Sequence, residues 1–246
     1  MAIAFVKSTG KARVSSAGSV AASFASLPSA ANFIGVRTWG WHNGGTFNLP
    51  ATGCTDNQSN TYSRAVNINK PNAGVAIYYA ANLGTPSGTF TITVAPDDAS
   101  ANIIILEASE YSGVVTSGAL DVTASNSGDT GEPDSGTTAA AAQNDELLIA
   151  VAESNNSHPQ TWTTPTDWTE RVLETDNSTY QGGQGIERII SAAGTRNVAF
   201  DVSGAITIWG ACIAAFKAAA AAGVVGPLVS GRLEGGHLIA GRLVGR

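Results

Sequence analysis

The chain is built from short runs in which apolar and polar positions alternate, broken by Gly, Asn, Asp and Pro. The clearest lies at 75–94. Val75 to Ala81 is an apolar run with two tyrosines, and Phe90, Ile92 and Val94 then alternate with Thr89, Thr91 and Thr93. That is the period of a half-buried strand. Asn82, Gly84, Pro86 and Gly88 supply turn chemistry between the two runs, so the pattern predicts a hairpin. The same design returns at Ile186 to Ala192, followed by Ala193-Gly194-Thr195 and by Val198, Phe200 and Val202 alternating with Ala199 and Asp201.

Other strands fall on either side. Ile3 to Val6 and Val20 to Phe24 are entry strands or an arm. Phe33 to Trp41, Thr61 to Ile68 and Asn102 to Tyr111 follow, and the Ile103-Ile104-Ile105-Leu106 run predicts a strand buried on both faces. Residues 112–144, rich in Gly, Ser, Thr, Asp and Ala, form a long connection in which Ala119 to Thr123 is a candidate edge strand. Leu147 to Val151, Trp168 to Val172 and Ile206 to Phe216 then repeat the earlier order. The prediction is an all-β chain. Its body, 31–217, is an antiparallel, jelly-roll-like β-sandwich made of two divergent repeats, 31–111 and 145–217. An arm at 1–30 precedes it and a tail at 218–246 follows. Each half looks too small for a core of its own, which favours one sandwich over two independent domains.

The tail has its own period. After the Ala218 to Ala222 run, which suits a brief helix, a strand extension or a spacer, Gly226, Gly231, Gly236 and Gly241 recur every five residues. Leu228, Leu233, Leu238 and Leu243 sit two residues after each. The spacing resembles the pentapeptide-repeat β-helix, with Gly where that family has a small residue and Arg or His where it has Asp or Asn. One such coil cannot bury its own leucines. The tail is therefore expected to dock on a neighbour or to pair with copies of itself, a homotrimer being the expected assembly.

Composition narrows the function. With 13 Lys and Arg against 19 Asp and Glu, and no basic run, the chain is poorly suited to gripping nucleic acid. The start, with Lys7 after six residues, is not a secretory signal, and no apolar run is long enough for a membrane-spanning helix, so no membrane insertion is expected. Cys54 and Cys212 are too few for a disulfide framework; they are either reduced or paired across the repeats.

No catalytic constellation stands out. His42, His158 and His237 lie in different segments, and HExxH, GxSxG and CxxC are absent. Glu107 and Glu110 are the best carboxylate pair, but a spacing of three puts them on opposite faces of a strand, unlike the paired acids of a jelly-roll glycosidase. Asp56, Asn57 and Asn60, or Asp97 and Asp98, suit calcium but equally suit turns. No enzyme activity, cofactor or metal is expected. Trp39 and Trp41 share a strand face, and Trp162 flanks a loop. They are candidates either for glycan stacking or for core filling.

The segments DNQSNTY, AIYYAANL, EASEYSG and the late AAFKA together resemble a β-sandwich domain of phage structural proteins and uncharacterised bacterial proteins, over roughly residues 20 to 218. The resemblance implies a structural protein of the tailed-phage virion surface, a capsid decoration protein or a head or tail fibre subunit, released by lysis. Its partners would be itself, the major capsid or tail protein and a host surface glycan. A carbohydrate-binding, lectin-like receptor-binding protein is the alternative.

Overall fold

Alternation along the chain resolves into sixteen strands among the described residues. The structure, a computed structural model, describes residues 2–97, 103–155, 160–175, 181–204 and 206–220. The first half holds β1 (Ala4–Ser8), β2 (Ala12–Ser15), β3 (Val20–Ser23), β4 (Phe33–Trp41), β5 (Cys54–Asp56), β6 (Ser63–Lys70), β7 (Ala73–Ala80), β8 (Thr91–Val94) and β9 (Ile103–Ser112). The second holds β10 (Leu120–Gly128), β11 (Glu146–Asn155), β12 (Thr161–Thr163), β13 (Thr169–Glu174), β14 (Gln181–Ile190), β15 (Asp201–Ser203) and β16 (Ile208–Lys217). Every strand pairing is antiparallel.

Each half forms one large and one small sheet. The first large sheet runs β1-β9-β4-β7-β6, with β2 also on β9, and its small sheet runs β3-β8-β5. The second large sheet runs β10-β16-β11-β14-β13, and its small sheet is β12-β15. The two large sheets thus place their strands in the same chain order. Neighbours in sequence pass back and forth between large and small sheet, as in a jelly roll.

The reason for this layering is the burial demanded by the central strands. β4, β7, β9, β11, β14 and β16 are buried along almost their whole length. A strand that is apolar on both faces needs cover on both. The small sheet β3-β8-β5 covers one face of the first large sheet, with Val20, Phe24, Ile34, Val36, Ile92, Val94 and Leu106 between them. The other face meets the second large sheet through Phe33, Trp39, Ile77, Ile105, Ile149, Val151 and Phe216. The outer face of the second large sheet packs on β12-β15 through Trp162, Ile186, Phe200, Val202 and Ile213. The result, among the described residues, is four stacked layers with apolar clusters between them.

The structure corrects the sequence reading in three places. The runs at 75–94 do not form a hairpin: β7 lies in the large sheet and β8 in the small one. The connecting residues are numerous enough to cross between sheets, and the alternation of Phe90, Ile92 and Val94 reflects a small sheet facing inward. The runs at 186–202 behave alike, as β14 and β15. Second, the all-β antiparallel sandwich is as expected, but each half has a core of its own besides the one shared between the large sheets. Third, the 112–144 connection is structured. β10 extends to Gly128 and pairs along β16. Beyond it, the Ser135 and Thr138 N–H groups donate to the Val198 and Arg196 carbonyls at 2.9 and 2.8 Å. The pentad tail with Leu228, Leu233, Leu238 and Leu243 lies outside the described residues.

Glycines in β14 set the spacing of the large sheets. A Cβ on Gly183 would stand 2.5 Å from Trp39 Nε1 and 2.9 Å from the Ala152 carbonyl oxygen, and one on Gly185 would stand 2.6 Å from Arg37 Cδ. The two largest inward side chains of β4 occupy the room that these glycines leave. Gly183→Ala is therefore expected to destabilise the chain by about 1–3 kcal/mol in chemical denaturation. The same change in a Trp39→Phe background is expected to have a smaller effect, and equal losses in both backgrounds would refute this packing.

Candidate functional site

The strand period decides which side chains meet between the large sheets. Along β4, Phe33, Arg37 and Trp39 face the second sheet, and along β9, Ile105, Glu107, Ser109 and Tyr111 do so. Arg37 and Glu107 are cross-strand partners. Both are fully buried. A charge in such a place must be paired and hydrogen-bonded to persist.

Arg37 is the hub. Its Nη1 donates to Glu107 Oε2 at 2.7 Å and lies 3.4 Å from Ser109 Oγ. Its Nη2 donates to the Tyr111 hydroxyl at 2.9 Å and to Glu187 Oε2 at 3.4 Å, and its Nε to the Ile186 carbonyl at 3.3 Å. The Tyr111 hydroxyl also donates to Glu187, Ser109 to Glu107, and Arg171 to the second Glu187 oxygen. The cluster therefore ties β4 and β9 of one half to β13 and β14 of the other. Burial alone would lower the Arg37 pKa, but Tyr111, Glu107 and Glu187 beside it outweigh that and hold it above the ordinary value. Burial pushes the Tyr111 hydroxyl up, against the pull of Arg37. Arginine and phenol accordingly keep their protons at any physiological pH.

The cluster opens to the surface on one side. Phe5, Asp167, Thr169, Arg171, Glu187, Arg188 and Ile189 line a groove of about 540 Å³. The Arg171 guanidinium carbon lies 3.5 Å from the Phe5 ring centroid, a cation–π contact. Phe5 in turn meets the edge of Tyr111 at 6.0 Å between centroids. Glu187 is thus the floor of the groove and the outermost acid of the buried cluster.

Two further acids are buried away from this cluster. Glu153 accepts from Gln181 at 3.0 Å, and burial raises its pKa well above the usual range. Glu146 is buried, and neither carboxylate oxygen has a hydrogen-bond partner among the described residues. Burial and the nearby Asp121 carboxylate push it up to about 7, with Arg196 and Lys217 opposing.

The residues singled out by sequence are dispersed. Glu107 and Glu110 point to opposite faces. Glu110 accepts from Ser29 N–H at 2.7 Å and from Asn32 Nδ2 at 2.6 Å, far from Arg37's side of the sheet. Trp39 is fully buried and Trp162 nearly so, so neither offers a face to a sugar. Trp41 is partly buried against the inter-sheet core. Asp56 accepts from Gln58 N–H, Asn60 N–H, Asn60 Nδ2 and Tyr62 OH, which commits its oxygens to the turn. Asp97 accepts from Asn48, while Asp98, His158 and His237 lie outside the described residues. Among the described residues no group of three or more His, Cys, Asp and Glu is placed to hold a metal. Cys54 and Cys212 are both free and buried, one in the first-half core and one in the shared core.

Arg37, Tyr111, Arg171 and Glu187 were not singled out from sequence. The signal was present for Arg37, which like Glu107 stands in mid-strand in a largely apolar run, whereas Glu187 is flanked by Ile186 and Arg188. Charges in such positions are rarely buried unless paired.

A family model described as Chlamydia major outer membrane protein matches residues 13–161, more than half of the chain. The match begins in β2, takes in the rest of the first half and ends in β12. No curated protein and no solved structure matches. The family match overturns the reading of the chain as a tailed-phage virion protein. Capsid decoration, head or tail fibre, virion-surface location and release by lysis fall with it, because the family is a bacterial outer membrane one. The burial of Trp39 and Trp162 removes two of the three stacking faces on which the lectin-like alternative relied, Trp41 being partly buried.

Two outcomes follow from the buried charges. Arg37→Met leaves Glu107 and Glu187 without their central cation, and a loss of about 3–5 kcal/mol in denaturation is expected; a loss below 1 kcal/mol (about one surface ion pair) would show that the cluster does not clamp the sheets. Glu146 has a folded pKa above its unfolded one, so the folded state binds the extra proton. Its favourable share of stability is present below the ordinary glutamate range and is lost as pH rises from about 4.5 to about 7. Melting temperature in Glu146→Gln should therefore fall less across that window than in the parent chain, and parallel curves would refute the assignment.

Proposed function

The chain belongs to the Chlamydia major outer membrane protein family, and on that premise we propose that it is a non-catalytic structural protein of the bacterial outer-membrane layer, its β-sandwich lying on the water side of the membrane surface. The observation that carries this reading is the direction in which the strands turn their apolar faces. A membrane-spanning barrel presents an apolar band outward to lipid and closes its sheet on itself. Here the apolar faces turn inward, between stacked layers. The large sheets end at β6 and β13 without closing. Val6, Leu27 and Ile189 are the exposed large hydrophobics among the described residues.

The absence of catalysis is supported by what holds the acids. General acid–base work needs a carboxyl group of tuned pKa within reach of substrate. Glu107 is sealed between sheets and held by Arg37, and Glu187 is shared among Arg37, Tyr111 and Arg171. Their geometry suits a clamp between the halves.

Cell fractionation tests the reading. The protein is expected to sediment with outer membranes, to be released by alkaline carbonate or urea, and to run at the same gel position with or without boiling. Retention after urea with a heat-dependent gel position would make it a spanning barrel. Recovery only in the soluble fraction would end the outer-membrane reading.

A further inference from the structure

Glu110 touches two side chains that can react with each other. The first large sheet sets β9 between β1 and β4, and Glu110 on β9 stands opposite Lys7 of β1 and Ile34 of β4. Asn32 is the residue just before β4. Glu110 is fully buried. Its Oε1 accepts from the Ser29 N–H at 2.7 Å and from Asn32 Nδ2 at 2.6 Å. Its Oε2 is buried with no hydrogen-bond partner among the described residues, and Lys7 Nζ lies 3.5 Å from it. One carboxylate thus holds a primary amine at one oxygen and a carboxamide at the other.

Both groups are held in place by their surroundings. Lys7 Nζ donates to Ser26 Oγ at 3.1 Å and to the Leu27 carbonyl. Asn32 closes a turn: its N–H donates to the Ser29 carbonyl at 3.3 Å, and its own carbonyl accepts from the Leu83 N–H at 3.2 Å. Ala31, the residue before it, has a φ of 62°, a left-handed backbone that persists only where its surroundings impose it. Amine and amide therefore reach Glu110 from the two strands that flank it. A carboxylate in contact with two groups can take a proton from one and deliver it to the other. Holding the reactants together in one geometry also replaces a chance encounter with a unimolecular step.

We infer that Lys7 and Asn32 form an intramolecular isopeptide bond, with Glu110 as its general acid–base. Glu110 takes a proton from the Lys7 ammonium, and the neutral amine attacks Asn32 Cγ. The Nζ–Cγ bond forms and the Cγ–Nδ2 bond breaks as Glu110 passes that proton to Nδ2. Nζ gives up a second proton to the carboxylate, and the departing ammonia carries it away as ammonium. An ammonium and a carboxamide become an amide and an ammonium, with nothing oxidised or reduced and no other reactant. The bond ties β1 to the start of β4 across β9. It is a single self-reaction without turnover, and it does not depend on the outer-membrane reading above.

Mass spectrometry of the folded full chain tests it. The intact mass is expected to fall short of the sequence value by one ammonia. Trypsin is expected to leave Lys7 uncut and to release a branched peptide joining the segment that holds Lys7 to residues 14–37, which hold Asn32. Lys7→Arg, which keeps a cation over Glu110, should show no ammonia loss and an unchanged circular dichroism spectrum. Freshly translated Glu110→Gln should form the bond about a hundredfold more slowly than the parent chain. A parent chain at its full sequence mass, ammonia loss that persists in Lys7→Arg, or a linear peptide with a succinimide at Asn32 would overturn the inference. Bond formation at the parent rate in Glu110→Gln would overturn the role given to Glu110.

Discussion

A β-strand that is buried on both faces cannot lie at a surface, and six strands among the described residues are of that kind. The constraint generates the architecture. Each large sheet must be covered twice, once by its own small sheet and once by the other large sheet. The shared face is where the constraint is hardest to meet, because Arg37, Glu107 and Glu187 fall on it. Those charges are tolerated because they satisfy one another and because Tyr111 and Ser109 fill the remaining hydrogen-bonding positions. A fully apolar interface would hold the halves together without choosing their register. A pattern of three charges at fixed strand positions makes one register favourable.

Much of the fold was legible as period. The apolar alternation of Phe90, Ile92 and Val94, and that of Val198, Phe200 and Val202, fixes which side chains turn inward whatever the strands pair with. What period does not fix is the partner. Val75 to Ala80 and Thr91 to Val94 are close in sequence and belong to different sheets, because a connection long enough for a loose hairpin is also long enough to cross a core. β10 was legible only in part. Its Ala, Ser, Asn and Gly residues carry little alternation, and it gains its place by edge pairing with β16.

The charged cluster was less legible than the strands. Glu107 was noticed beside Glu110, as a pair along one strand. Its true partner, Arg37, is 70 residues away in sequence. Strand period correctly separates Glu107 from Glu110, yet nothing local announces which distant cation sits opposite. Trp39 shows the converse: its strand position was clear, but its fate depended on Gly183, which leaves room for the indole across the interface. The family match settles a different matter, the class of protein, which neither period nor packing addresses. Strand and turn signatures such as DNQSNTY describe how a sandwich is built and are shared by proteins of unrelated role.

The order of the halves along the chain has a consequence for synthesis. β1 to β9 are contiguous, so the first half can pair its strands and close its own core before the second half has left the ribosome. Until then, the face carrying Phe33, Trp39, Ile77 and Ile105 has no cover. A nascent chain paused at the connection would expose a large sticky sheet, interrupted by Arg37 and Glu107 with Ser109 and the Tyr111 hydroxyl beside them. The buried ion pair would then act in time as well as in space, making that waiting surface less adhesive toward other nascent chains than a wholly aliphatic one.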